Sequence, residues 1–163
     1  MNPTVERLDP PPGYGQAAQP LPWETVRAML KAAPVYWLAT VRPDGRPHVV
    51  PRDGFWIDDA LFYGGTLETV HYRNLQHNPH CTATIGDGPA AVIVEGDSGS
   101  TTLDRDAAVR LAAAHEKYPQ YGRPPDPESI DVDTLLVLRP RKVMAWTAYP
   151  ADCTRFTFDA RRA

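Results

Sequence analysis

One hairpin constrains this chain more than any other feature of its sequence. Tyr36, Trp37, Leu38, Ala39, Thr40 and Val41 form a β-branched and aromatic run of the kind that fits a pleated, half-buried surface. Arg42, Pro43, Asp44 and Gly45 follow as a turn with a mechanism. Pro43 presets its backbone angle, and Gly45 accepts a positive one. Arg46 to Pro51 then returns as the second strand. A second hairpin is predicted from residues 55–57 and 60–63 about the acidic pair Asp58 and Asp59. Hairpins in succession dictate antiparallel pairing.

More strands follow at 81–85 and 90–95, around Gly86, Asp87 and Gly88. Two others are predicted at 134–138 and 142–146, joined at Arg139, Pro140 and Arg141, and a last one at 154–158. This many hairpin strands tend to close into a barrel. Three helices are inserted. The first opens at Pro22, where a missing N–H costs nothing, and sets Trp23, Val26, Leu30 and Ala33 on one face before Pro34 ends it. The second spans 66–77, with Thr66 as its cap and Asn78 and Pro79 as its stop. The third runs from Asp104 to Tyr118, with Asp104 and Asp106 at its positive end.

Two segments have no predicted elements. Residues 1–22 hold six prolines and read as an extended arm without regular structure, draped on the domain or on a partner subunit. Residues 119–129 carry Pro124, Pro125 and Pro127 and read as a long loop, a candidate lid.

Charge narrows the partners. Seventeen Lys and Arg against twenty Asp and Glu leave a net charge of -3, without the basic field of a nucleic-acid binder or a face for an anionic membrane. No apolar run approaches the roughly 20 residues of a membrane span, and residues 1–12 lack the apolar segment of a signal peptide, so a cytoplasmic protein is expected. Cys81 and Cys153 read as reduced thiols, and without a Cys-x-x-Cys pair a thiolate zinc site is not expected. His71, His77 and His80 do not have the spacing of a metal set. Neither a glycine-rich dinucleotide loop nor a nucleophile elbow is present. Trp37, Trp56 and Trp146 read as core or interface residues.

The run from Tyr36 to Pro51, then Leu61, Phe62 and Tyr63, then Arg73, Asn74, Leu75, Asn78 and Pro79, resembles the pyridoxamine 5'-phosphate oxidase-like, flavin-binding split-barrel superfamily. Val94, Glu95, Gly96, Leu138, Arg139, Pro140, Trp146 and residues 154–158 are similar to its actinobacterial branch, many of whose members use the deazaflavin F420. The resemblance implies a mainly β (α+β) fold: a six- to seven-stranded antiparallel split barrel with about three helices over residues 23–163, dimerising with itself. It implies cofactor sites in the dimer groove, with F420 placed ahead of FMN and haem last. It implies an oxidoreductase that moves a hydride between that cofactor and a small organic acceptor. The alternative is a carrier of the same fold that binds a cofactor or a tetrapyrrole without turnover. Haem would require His48, His71, His77 or His80 to ligate iron.

The same resemblance assigns residues. His48, Val49, Val50 and Pro51 would line the cofactor chain and ring, Thr66, His71, Arg73 and Asn74 would grip its phosphate, and Trp146 would stand near the ring; Arg52, unusual after the Val-Val-Pro stretch, is a further cofactor-binding candidate. A helix start and a guanidinium suit an anion on physical grounds alone. No catalytic residue is assigned, because the cofactor carries the chemistry. The chain departs from the family pattern at three places. Gly64 and Gly65 stand where hydroxyl residues are usual, and His71 where a lysine or arginine is usual. With an ordinary pKa of about 6.5, His71 would be partly charged near neutrality, and Arg52 could compensate.

Overall fold

The computed structural model describes residues 2–16 and 18–159. Its elements in chain order are β1 (Thr4–Arg7), α1 (Trp23–Ala32), β2 (Tyr36–Val41), β3 (Pro47–Arg52), β4 (Phe55–Ile57), β5 (Ala60–Gly64), α2 (Val70–His77), β6 (His80–Gly86), β7 (Ala91–Ser100), α3 (Arg105–Ala114), β8 (Leu135–Trp146) and β9 (Thr154–Thr157). All strand pairs are antiparallel, in the order β1-β9-β8-β7-β6-β2-β3, with β4 and β5 attached through β8. Among the described residues the sheet is not closed, and three α-helices accompany it: this is the split-barrel α+β class. Among the described residues it has nine strands rather than six or seven, counting the predicted short hairpin strand β4 and β1, which was not predicted.

The hairpin at 36–52 forms as predicted, with Trp37 opposite Pro51 and Ala39 opposite Val49. Gly45 takes a φ of 84° and closes the turn onto Arg42. Asp58 and Asp59 both take positive φ, the geometry a two-residue hairpin needs. Asp104 caps α3 by accepting from the Ala107 N–H at 2.7 Å.

Four expectations are corrected. Residues 134–138 and 142–146 are one continuous strand, β8, whose first half pairs with β5 and second half with β9. Pro140 is tolerated because the register shifts beside it at Gly96, where a Cβ would stand 2.0 Å from the Arg139 carbonyl oxygen. The N-terminal arm contains β1, which pairs with β9. Thr66 does not cap α2: the helix starts at Val70, and the Thr66 carbonyl instead accepts from Thr69. The 119–129 loop holds 3-10 turns at Pro119–Tyr121 and Pro127–Ser129. Tyr121 anchors the first of these by donating to the Asp53 carboxylate.

The core lies between α1 and the concave sheet. Val26 and Leu30 of α1 pack with Leu38, Leu61, Val92, Val94, Leu136, Leu138, Val143 and Phe156, all nearly without exposure. Each such side chain contributes about 1.5–3 kcal/mol when fully buried. Trp23 stacks 5.0 Å from Phe156 and 5.2 Å from Phe158. Asp59 anchors the helix end, accepting from Arg27 at 2.9 and 3.1 Å. Trp56 is buried as predicted, whereas Trp37 is 49% exposed on the outward face of β2. Cys81 and Cys153 are buried free thiols. Among the described residues, no helix is long and apolar enough to cross a membrane.

Candidate anion-binding site

Strand β3 alternates strictly between two faces. His48, Val50 and Arg52 turn inward and are half-buried, while Pro47, Val49 and Pro51 are exposed. The inward set meets the end of β5 and the buried face of α2. Arg52 donates through Nη2 to the Gly64 carbonyl at 2.9 Å. Its Nε is buried and has no hydrogen-bond partner.

His71 stands behind the same carbonyl. It is 2% exposed, with Nε2 3.4 Å from the Gly64 oxygen and its ring 6.1 Å from Tyr63. Gly65 makes this approach possible, since a Cβ there would lie 2.7 Å from His71 Nε2 and 2.9 Å from Leu136. Burial pushes the His71 pKa below its ordinary value, and the Arg52 charge adds to this against a weaker pull from the Gly64 carbonyl. Burial thus works against the partly charged imidazole expected from the sequence. Burial and the charge of Arg42 lower the His48 pKa in the same direction.

Asn74, one turn along α2, is also 2% exposed. Its Nδ2 donates to Thr40 Oγ1 at 2.9 Å, and His48 Nδ1 lies 3.4 Å from that same hydroxyl. Thr40 thus ties α2 to the hairpin, a role the sequence reading did not assign to it.

The remaining assigned residues are placed apart. Thr66 and Arg73 are exposed on the solvent side of the 66–77 segment, where Arg73 helps to lower the pKa of Glu68. Val49 and Pro51 share the outward face of β3. Trp146 is at the far end of β8, donating its indole N–H to the Gly88 carbonyl at 2.8 Å. The structure therefore brings His48, Arg52, His71 and Asn74 together, with Val50 on the same face of β3.

This arrangement suits an anion. The buried Arg52 Nε is an unmatched donor, and such a group costs about 1–3 kcal/mol until an acceptor reaches it. The first turn of α2 adds free N–H groups and contains no acidic residue. Of the carboxylates close in sequence to these residues, Asp53 is engaged by Tyr121, and Glu68 is held below its ordinary pKa first by a hydrogen bond from Thr66.

Residues 22–147 match the family profile described as pyridoxamine 5'-phosphate oxidase. No curated protein matches the chain. Solved structures do. A haem-binding protein from Mycobacterium smegmatis is 22% identical with a TM-score of 0.63, over 86% of this chain and 60% of its own. A putative pyridoxamine 5'-phosphate oxidase from Listeria innocua is 18% identical with a TM-score of 0.57, over 77% of this chain and 98% of its own. An F420 reductase is 25% identical with a TM-score of 0.54, over 72% of this chain and 94% of its own.

Proposed function

Because the chain belongs to the pyridoxamine 5'-phosphate oxidase family, we propose that it is an oxidoreductase holding a phosphate-bearing flavin or deazaflavin, with F420 ahead of FMN. The observation that carries this reading is the buried, unpartnered Nε of Arg52 beside the start of α2. Arg52 would take the phosphate, with its Nη2 already fixed by Gly64 and its Nε free to donate. Asn74 would hold α2 in place through Thr40, and His71 would support Arg52 from behind as a neutral ring. Arg73, exposed on the same segment, would serve as an outer cation. When bound, the cofactor supplies a hydride to a small organic acceptor. The chain's own part is to hold, orient and shield from water.

A second copy of the chain would cover the opposite face of the strand that carries the site. Trp37, Val49 and Val41 are exposed at 49%, 57% and 38% on the outward face of β2 and β3. They form an apolar stripe of the kind that marks an interface. His48, Val50 and Arg52 lie on the other face of the same strand, so covering the stripe would stiffen the site.

A second reading, a tetrapyrrole carrier without turnover, is supported by the haem-binding neighbour that spans most of this chain. Were His71 the iron ligand, the packing around it would have to open, since it is 2% exposed. One experiment separates the readings: titration of the purified protein with F420, FMN and haem, followed by absorbance and fluorescence. Saturable binding of F420 or FMN supports the proposal. An intense Soret band with neither flavin bound supports the carrier instead.

A further inference from the structure

A second cleft lies outside the Arg52 cluster and shares no residue with it. Its volume is about 490 Å³, within the usual range for small-molecule sites. It opens between the end of α1, the β4–β5 hairpin and the end of α3. Phe55, Trp56 and Ile57 form its apolar floor, and Lys31, Arg110 and Lys117 line it as cations.

The charges there are unbalanced. Asp58 is the carboxylate in the lining, and Arg110 holds it at 2.7 and 3.0 Å. Among the described residues, neither Lys31 nor Lys117 is ion-paired. Lys117 is held in place: its Nζ donates to the Gly54 carbonyl at 2.7 Å and stands 4.9 Å from the Tyr118 ring, 5.1 Å from Tyr36 and 5.8 Å from Phe55. Burial pushes its pKa down to about 8, against a weaker opposing pull from Asp53, so the ammonium is short of solvation.

We propose that this cleft binds a small organic monoanion with a flat apolar body and a carboxylate or sulfonate head. The body would lie on Phe55 and Ile57, and the head would be met by Lys117 and Lys31. Such a ligand supplies the counter-charge the cleft lacks.

The test uses 8-anilinonaphthalene-1-sulfonate with the full chain, read by fluorescence. Saturable enhancement at one site per chain is expected. Ala113→Trp fills the cleft from an exposed helix position and should abolish it. Lys117→Met and Lys31→Glu should each weaken it about tenfold, the loss of one charge-assisted contact. Should Lys117→Met fail to fold, Ala113→Trp and Lys31→Glu still decide. Enhancement unchanged in those variants overturns the proposal. So does enhancement lost only when Trp37 and Val49 are both changed to Ser, because the dye would then report the outward sheet face.

Discussion

Arg52 reaches across from β3 to donate to the Gly64 carbonyl at 2.9 Å, yet leaves its own Nε buried without a partner. Removing this side chain ends the desolvation cost of the unmatched donor, which offsets the loss of one hydrogen bond to the exposed Gly64 carbonyl. Arg52→Met is therefore expected to hold or raise the melting temperature in calorimetry. A fall of several degrees, corresponding to more than about 1 kcal/mol, would place Arg52 among the structural residues.

Gly65 is the second prediction. A Cβ there would press on His71 Nε2 at 2.7 Å and on the Leu136 side chain at 2.9 Å. Both neighbours are buried, so neither yields without cost. Gly65→Ala should cost about 1–3 kcal/mol in urea unfolding, with an unchanged slope. Gly64→Ala should cost far less, since its nearest contact would be Arg52 Nη2 at an ordinary 3.5 Å.

The third concerns pH. Burial holds the His71 pKa below its unfolded value, so the unfolded chain binds this proton more readily than the native one. The stability contributed is complete above about pH 6.5 and is lost as pH falls through the lower native value. His48 and His115 are shifted the same way, each chiefly by burial. Replacing His71 with Gln should flatten the loss of stability between pH 6.5 and 5 without abolishing it. An identical pH profile in the variant would show that His71 takes up its proton as easily folded as unfolded.

A fourth prediction addresses the outward face. If the stripe of Trp37, Val41 and Val49 is covered by a second copy, Val49→Asp places two like charges at the interface. Wild-type protein should elute as a dimer in size-exclusion chromatography with light scattering, and Val49→Asp as a folded monomer. A monomeric wild type would remove the dimer from the account.

Much of this was legible in the sequence, because local chemistry decides it. Pro43 and Gly45 dictate the first turn, Asp104 caps α3, and the apolar spacing of Trp23, Val26 and Leu30 seats α1. What was not legible depends on contacts distant in sequence. Pro140 looked like a break between strands until Gly96, on another strand, supplied the bulge that accommodates it. His71 looked like a weak cation because its type says nothing of burial. Only the packing of α2 on the hairpin, through Asn74 and Thr40, shows the burial that disfavours its charged form. Arg52 could be noticed as unusual from the sequence, but its unpartnered Nε could not.

The central claim is that Arg52 is the phosphate anchor of a flavin-type site. Its most direct test is the affinity of F420 and FMN for wild-type, Arg52→Met and Arg73→Ala proteins, by fluorescence titration at fixed ionic strength. Charge-assisted contacts are worth about 1.5–3 kcal/mol, so Arg52→Met should weaken binding at least about tenfold, and the exposed Arg73→Ala distinctly less. Equal affinity in wild type and Arg52→Met, for whichever cofactor binds, would contradict the account.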